Sequence, residues 1–167
     1  MFVTVWRHGE AGSAVTDRMR ELTDQGRDDI GFACQQFHAH CEARGIPHPD
    51  LVLYSEWVRT AQTKDIVAGA FSHVRTQRSA ALIPGCRPSD VDSELEVLYS
   101  SEDQPAHLIL VSHQPLVSAL VDYYLGESGR VPPLSPGGLV TLSLEIPAAG
   151  CATLVFSAQA PLYEPMQ

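Results

Sequence analysis

Apolar residues in this chain fall into two alternating kinds of run. Short, unbroken stretches rich in β-branched and aromatic residues, Phe2–Trp6, Leu51–Tyr54 and His107–Ser112, read as strands buried on both faces. Between them, apolar positions recur every three or four residues. Ile30, Ala33, Cys34, Phe37 and Cys41 form one such stripe, Val91, Leu95 and Leu98 another, and Leu116 to Leu125 a third. Thr23 is placed to cap the first helix, Asp24 favours its dipole, and Gly45, Pro47 and Pro49 end it. A second helix runs from Trp57 to about Phe71, and Val74–Ile83 holds a weak third strand ending at Pro84. Ser89 is expected to cap the third helix, Pro115 to occupy the first position of the fourth, and Gly126 to close it. Glu127–Gly138 reads as loop. Leu139–Ile146 and Ala152–Ala158 read as two strands of a hairpin through Pro147-Ala148-Ala149-Gly150, and Pro161–Gln167 as a loose tail. The order β-α-β-α-β-α-β-α-β-β predicts an α/β fold. Its sheet would be mainly parallel, flanked by helices on both faces, with an antiparallel edge hairpin. Residues 1–160 form one expected domain, followed by the tail at 161–167.

Composition narrows the partners. The 167 residues are 44% apolar and 19% charged, ordinary values for a globular domain able to bury a core. A net charge of −9 argues against nucleic acid or an anionic membrane as the main partner. An anion site would therefore be a local cluster of cations against an acidic background. Cys34, Cys41, Cys86 and Cys151 show no CxxC pair and no metal-type spacing to a histidine. Cys34 and Cys41, seven apart on one helix face, read as buried thiols. Strand sequence begins at residue 2 without a basic leader, and no apolar run approaches the roughly 18 residues that span a membrane. A cytoplasmic location is expected.

The candidate chemistry sits where strands end. Phe2–Trp6 stops at Arg7-His8-Gly9, Leu51–Tyr54 is followed closely by Arg59, and His107–Ser112 stops at His113. In open α/β sheets ligands bind outside the carboxyl ends of the strands. Two arginines and two histidines there form an electropositive concavity suited to a phosphoryl group, since guanidinium matches phosphate oxygens in bidentate fashion. A lone histidine at a strand end is more often structural, and Arg-His-Gly arises by chance in a chain this long at a rate on the order of one per cent. Convergence at successive strand ends is what turns these residues into a site.

Arg7-His8-Gly9, the segment Ser55-x-x-x-Arg59-x-x-Gln62-Thr63 and Ser112-His113-x-Pro115 together resemble the histidine phosphatase superfamily, the phosphoglycerate mutase-like fold. The likeness extends to Arg20-x-Leu22-Thr23-x-x-Gly26 and to Ser135-Pro136-Gly137-Gly138. Compactness and the stretch from Ser112 to Val117 most resemble its SixA-type phosphohistidine phosphatases. The resemblance implies that His8 attacks phosphorus, forming a phosphohistidine intermediate that water hydrolyses. Arg7, Arg59 and His113 would hold the equatorial oxygens, with backbone N–H groups including that of Gln114. Neighbouring cations are expected to keep His8 neutral. The resemblance implies no metal or cofactor, and a monomer acting on a phosphorylated histidine-containing phosphotransfer protein of a bacterial phosphorelay or phosphotransferase system.

One departure bears on substrate. Many members place a carboxylic acid after the third strand to protonate an alkoxide leaving group. Here that stretch is Pro84-Gly85-Cys86-Arg87-Pro88, with no carboxylate before Asp90 and Asp92, for which helix capping is the favoured role. Glu10 and Asp17, in the first loop, are open alternatives. A phosphorylated imidazole needs such an acid less, which leans the substrate toward phosphohistidine. A small-molecule phosphomonoesterase is the runner-up. A non-catalytic phosphoryl-binding module is the third reading, disfavoured because a binder need not keep the nucleophile.

Overall fold

The computed structural model describes residues 1–167. Its six strands are β1 (Phe2–Arg7), β2 (Leu51–Tyr54), β3 (Arg75–Arg78), β4 (His107–Ser112), β5 (Leu139–Leu144) and β6 (Ala152–Ala158). Four α-helices intervene: α1 (Asp24–Arg44), α2 (Val58–Gly69), α3 (Pro88–Tyr99) and α4 (Leu116–Leu125). One sheet contains all the strands in the order β3-β2-β4-β1-β5-β6. The β3–β2, β2–β4 and β4–β1 pairs are parallel, whereas β1–β5 and β5–β6 are antiparallel. This is the α/β architecture expected, a mostly parallel sheet with an antiparallel edge.

Alternation along the central strands feeds two cores. Val3, Val5, Leu108 and Leu110 face one way, against Val91 and Leu95 of α3 and Leu116, Val117 and Leu120 of α4. Trp6, Val52, Ile109 and Val111 face the other, against Ile30, Phe37 and Cys41 of α1 and Val67 of α2. Each such side chain contributes roughly 1.5–3 kcal/mol by leaving water. The edge strand β3 is exposed throughout, and its two arginines guard that edge against pairing with another chain. No helix is long and apolar enough to cross a membrane.

The helix ends follow local chemistry. Thr23 Oγ1 accepts from the Gly26 N–H at 2.9 Å, and Gly45 adopts φ 64° while its N–H donates to the Cys41 and Glu42 carbonyls. Inside the core, the His107 ring is fixed by its neighbours. Its Nδ1 lies 2.8 Å from the Pro47 carbonyl, so it carries the proton and Nε2 accepts from Thr4 Oγ1 at 2.8 Å. Burial pushes this imidazole down to about 4.

Four boundaries and the tail differ from expectation. Helix α2 stops at Gly69 rather than Phe71, and β5 ends at Leu144 rather than Ile146, whose side chain is half-exposed. Helix α3 begins at Pro88 with Arg87 at its cap, not Ser89, because the Asp90 carboxylate accepts from the Arg87 N–H at 2.8 Å. Pro115 sits at the cap of α4, one residue before its first turn. The tail is not loose: Tyr163 is fully buried, its carbonyl lies 2.8 Å from His40 Nε2, and Met166 bridges Ser157 of β6. A single aromatic in a short stretch broken by Pro161 and Pro165 has no periodicity, so nothing local announced that packing.

Candidate active site

Register brings the site together. Arg7 stands opposite Ser112, and Tyr54 opposite Val111, so β1, β2 and β4 end level with one another. The residues just past those ends surround a cavity of about 340 Å³. Arg7, His8, Arg59, His113 and Gln114 all line it, joined by Glu10, Asp17, Arg20 and a few small or cyclic residues. The five residues expected from sequence therefore share one site. Three guanidiniums make it hostile to a cation and receptive to an anion.

His8 is held from both sides of its ring. Its backbone N–H donates to the Ser112 carbonyl at 3.0 Å. Nδ1 lies 2.7 Å from the Gly9 carbonyl, an acceptor only, so Nδ1 carries the proton and Nε2 holds the free electron pair. That Nε2 receives the Arg59 Nε–H at 3.0 Å. Gly9 is needed here for close approach. Its N–H reaches Thr63 Oγ1 at 3.1 Å, and an added Cβ would press on the Gly26 carbonyl and Ile30, each at 3.0 Å. Burial is the main cause that lowers His8 to about 4, opposed by the Gly9 hydrogen bond, with the Arg59 and Arg7 charges adding less. The cations expected from sequence do act in this direction, but desolvation, which sequence did not reveal, does more.

His113 lies beside it, ring centroids 5.2 Å apart, with Nε2 2.8 Å from Ser55 Oγ. Burial first, then His8 and Arg59, lowers it to about 3, so both imidazoles are neutral near pH 7. Arg7 donates from Nη1 to the Leu134 carbonyl at 2.8 Å. Two buried nitrogens of the residues lining the cavity, Arg7 Nε and His113 Nδ1, have no partner. The Gln114 side chain is occupied, donating to Ser118 Oγ and the Leu134 carbonyl.

The first loop supplies residues that sequence reasoning missed or left open. Arg20 donates from Nε to the Gly12 carbonyl at 2.7 Å and pairs with Asp17 at 3.0 Å, which folds the loop over the cavity. Its place in the Arg20-x-Leu22-Thr23-x-x-Gly26 segment was the one available signal. Arg59 donates to the Asp17 carbonyl at 2.7 Å and pairs with its carboxylate at 3.3 Å. The Arg20 hydrogen bond, and then Arg59, hold the Asp17 carboxyl below the usual range. Glu10 accepts from Thr23 Oγ1 at 2.8 Å. Asp90 and Asp92 lie outside the cavity. Asp90 binds the backbone at the start of α3, and Asp92 accepts from the Tyr123 and Tyr124 hydroxyls at 2.6 and 3.0 Å. These two are structural, which narrows the candidate acids to Glu10 and Asp17.

No family model and no curated protein matches this sequence. Solved structures do resemble it. The protein histidine phosphatase SixA, in complex with tungstate, aligns with a TM-score of 0.79 at 24% identity, over 94% of this chain and 96% of that one. A candidate phosphohistidine phosphatase SixA from Agrobacterium tumefaciens aligns at 0.74 and 20%, covering 96% and 98%. A mycobacterial glucosyl-3-phosphoglycerate phosphatase in complex with VO3 aligns at 0.65 and 17%, covering 92% and 96%. This protein has the phosphoglycerate mutase-like fold of the histidine phosphatases.

Proposed function

We propose that this chain is a phosphatase of the histidine phosphatase superfamily that removes the phosphoryl group from phosphohistidine on a protein. The observation that carries the reading is the state of His8. Its protonated Nδ1 is anchored on the Gly9 carbonyl and its Nε2 is unprotonated, with Arg59 poised on the same atom. In the first step the Arg59 Nε–H moves from Nε2 to a phosphoryl oxygen, and the freed Nε2 electron pair forms a bond to phosphorus while the bond from phosphorus to the substrate imidazole nitrogen breaks. The leaving imidazole takes a proton from solvent. In the second step water attacks phosphorus, the bond to His8 breaks, and inorganic phosphate leaves. Arg7, Arg59 and His113 surround the oxygens on which charge accumulates, and the unpartnered Arg7 Nε and His113 Nδ1 are donors such an oxygen would satisfy. Arg20 adds a further cation at the rim.

The substrate class rests on the acid. The stretch Pro84–Pro88, where many members of the superfamily that the sequence resembles carry a carboxylic acid, holds no carboxylate, and Asp17, spent on two arginines, is a poor proton donor near neutrality. A neutral imidazole is a better leaving group than an alkoxide. Likeness to SixA supports the same choice. The second reading, a small-molecule phosphomonoesterase, is favoured by Glu10 in the cavity wall and by likeness to the glucosyl-3-phosphoglycerate phosphatase.

The test compares kcat/KM for a panel of phosphorylated histidine-containing phosphotransfer domains with that for alkyl phosphates such as glycerol phosphate. General acid help is worth about 10²–10⁴-fold, so the phosphoprotein should win by a margin of that order. An alkyl phosphate that wins, with its turnover lost in Glu10→Gln, makes the second reading the correct one. Binding of phosphate without turnover of either class would leave only a binding module.

A further inference from the structure

Away from the cavity, the last turns of α1 and the approach to β2 bring together three side chains that the phosphoryl chemistry does not use. His38 and Glu42 are four residues apart on α1 and share a face, His38 Nδ1 lying 3.7 Å from a Glu42 oxygen. His48 meets them from the loop after Gly45, its ring centroid 4.5 Å from that of His38. One donor atom from each of the three lies within 4.8 Å of the others.

We propose that His38, Glu42 and His48 bind a divalent transition cation of the zinc type. Two imidazoles and one carboxylate are a donor set that such a borderline-soft ion accepts, with water completing a tetrahedron. Metal–ligand bonds of about 2.0–2.2 Å place donors roughly 3.3–3.6 Å apart, so the three must close by about an ångström. His48 and Glu42 are exposed, and small side-chain rotations supply that movement.

The backbone beneath His48 is already fixed, which lowers the ordering cost of binding. Pro47 and Pro49 flank it and restrict the chain. The Pro47 carbonyl accepts from His107 Nδ1 at 2.8 Å, and the Asp50 carboxylate accepts from the Ala106 and His107 N–H groups at 3.0 and 3.3 Å. On the helix side, the His38 ring stacks on Phe71 at an interplanar angle of 22°. The ion would tie the C-terminal turns of α1 to the start of β2. That is the end of the strand opposite the catalytic cavity, so the ion takes no part in phosphoryl transfer.

Isothermal titration of the dialysed full-length protein with Zn²⁺ tests this, in a Cys86→Ser/Cys151→Ser background that removes the two partly exposed thiols. One site of micromolar strength is expected, with a rise in melting temperature on adding Zn²⁺. His48→Ala and Glu42→Gln should each weaken binding by more than about tenfold, the loss that even outer-shell partners bring. Both residues are exposed, and far-UV circular dichroism of the metal-free variants should match the parent. Undiminished binding in both variants would place the ion elsewhere on the protein and overturn the proposal. Absence of binding below millimolar Zn²⁺ would overturn it equally, leaving the two imidazoles as rings packed against Phe71.

Discussion

In the proposed reaction His8 meets two demands that pull against each other: it must be a nucleophile, and it must sit among guanidiniums that attract an anion. Burial resolves this by keeping the ring neutral, with its proton on Nδ1. His8→Ala should therefore lose activity by several orders of magnitude and fail to trap labelled phosphate that the parent traps. His113→Ala should lose less and still bind phosphate. Comparable turnover by His8→Ala would rule out the covalent route. The same burial has a cost in acid. His8 and His107 fall from 6.5 to about 4, so between those values the unfolded chain takes up protons that the folded chain refuses. Stability then rises with pH across that window and is lost as pH drops from 6.5 toward 4. Each histidine contributes on the order of 3 kcal/mol to the loss. Urea denaturation at a series of pH values reads this directly, and a flat profile from pH 7 to 5 would contradict it.

At the scale of elements, the N-terminus of α1 does more than begin a helix. Thr23 caps it through Gly26 and also donates to Glu10 in the cavity wall. Gly26 packs so closely on the loop after β1 that a Cβ there would overlap the Glu10 carbonyl oxygen. That contact is with backbone, so it cannot be relieved by a side-chain rotation. Gly26→Ala should displace Gly9 and Glu10, lowering kcat as well as stability. Thr23→Ala, which removes a cap and introduces no clash, should cost about 1 kcal/mol. Melting curves beside phosphatase assays separate the two, and a fully active Gly26→Ala would show that the loop has slack.

Across the whole molecule, the chain's last residues support its first strand. Tyr163 is buried against α1, and its hydroxyl lies where a Cβ on Gly137 would fall, while the Gly137 N–H donates to the His8 carbonyl at 2.9 Å. Removing residues 161–167 should thus loosen the loop behind His8. Tyr163→Ala should cost roughly 3–5 kcal/mol, the range for emptying a large aromatic site, and reduce kcat. Parent-like melting and turnover in the truncated protein would mean that the tail only covers surface.

Much of this was legible along the chain because hydrophobic period and caps are local quantities. The runs Phe2–Trp6, Leu51–Tyr54 and His107–Ser112 announced central strands, and the residues following them, Arg7, His8, Arg59 and His113, announced a shared edge once the sheet was parallel. The first loop carried no such period. Arg20 reaches the cavity because it binds the Gly12 and Ala11 carbonyls, and Ala11 pairs with Leu22 across the loop. Asp92 was a carboxylate in the right neighbourhood until two tyrosines from α4 claimed it. The order of forces on His8 also needed three dimensions, since desolvation depends on everything packed around a group and not on its neighbours in sequence. Periodicity along the chain determined the strands, the helices and the residues at their ends. Contacts between distant segments decided which carboxylates face the cavity, where Arg20 lies and what the tail does, because packing energy belongs to pairs that the linear order does not bring together.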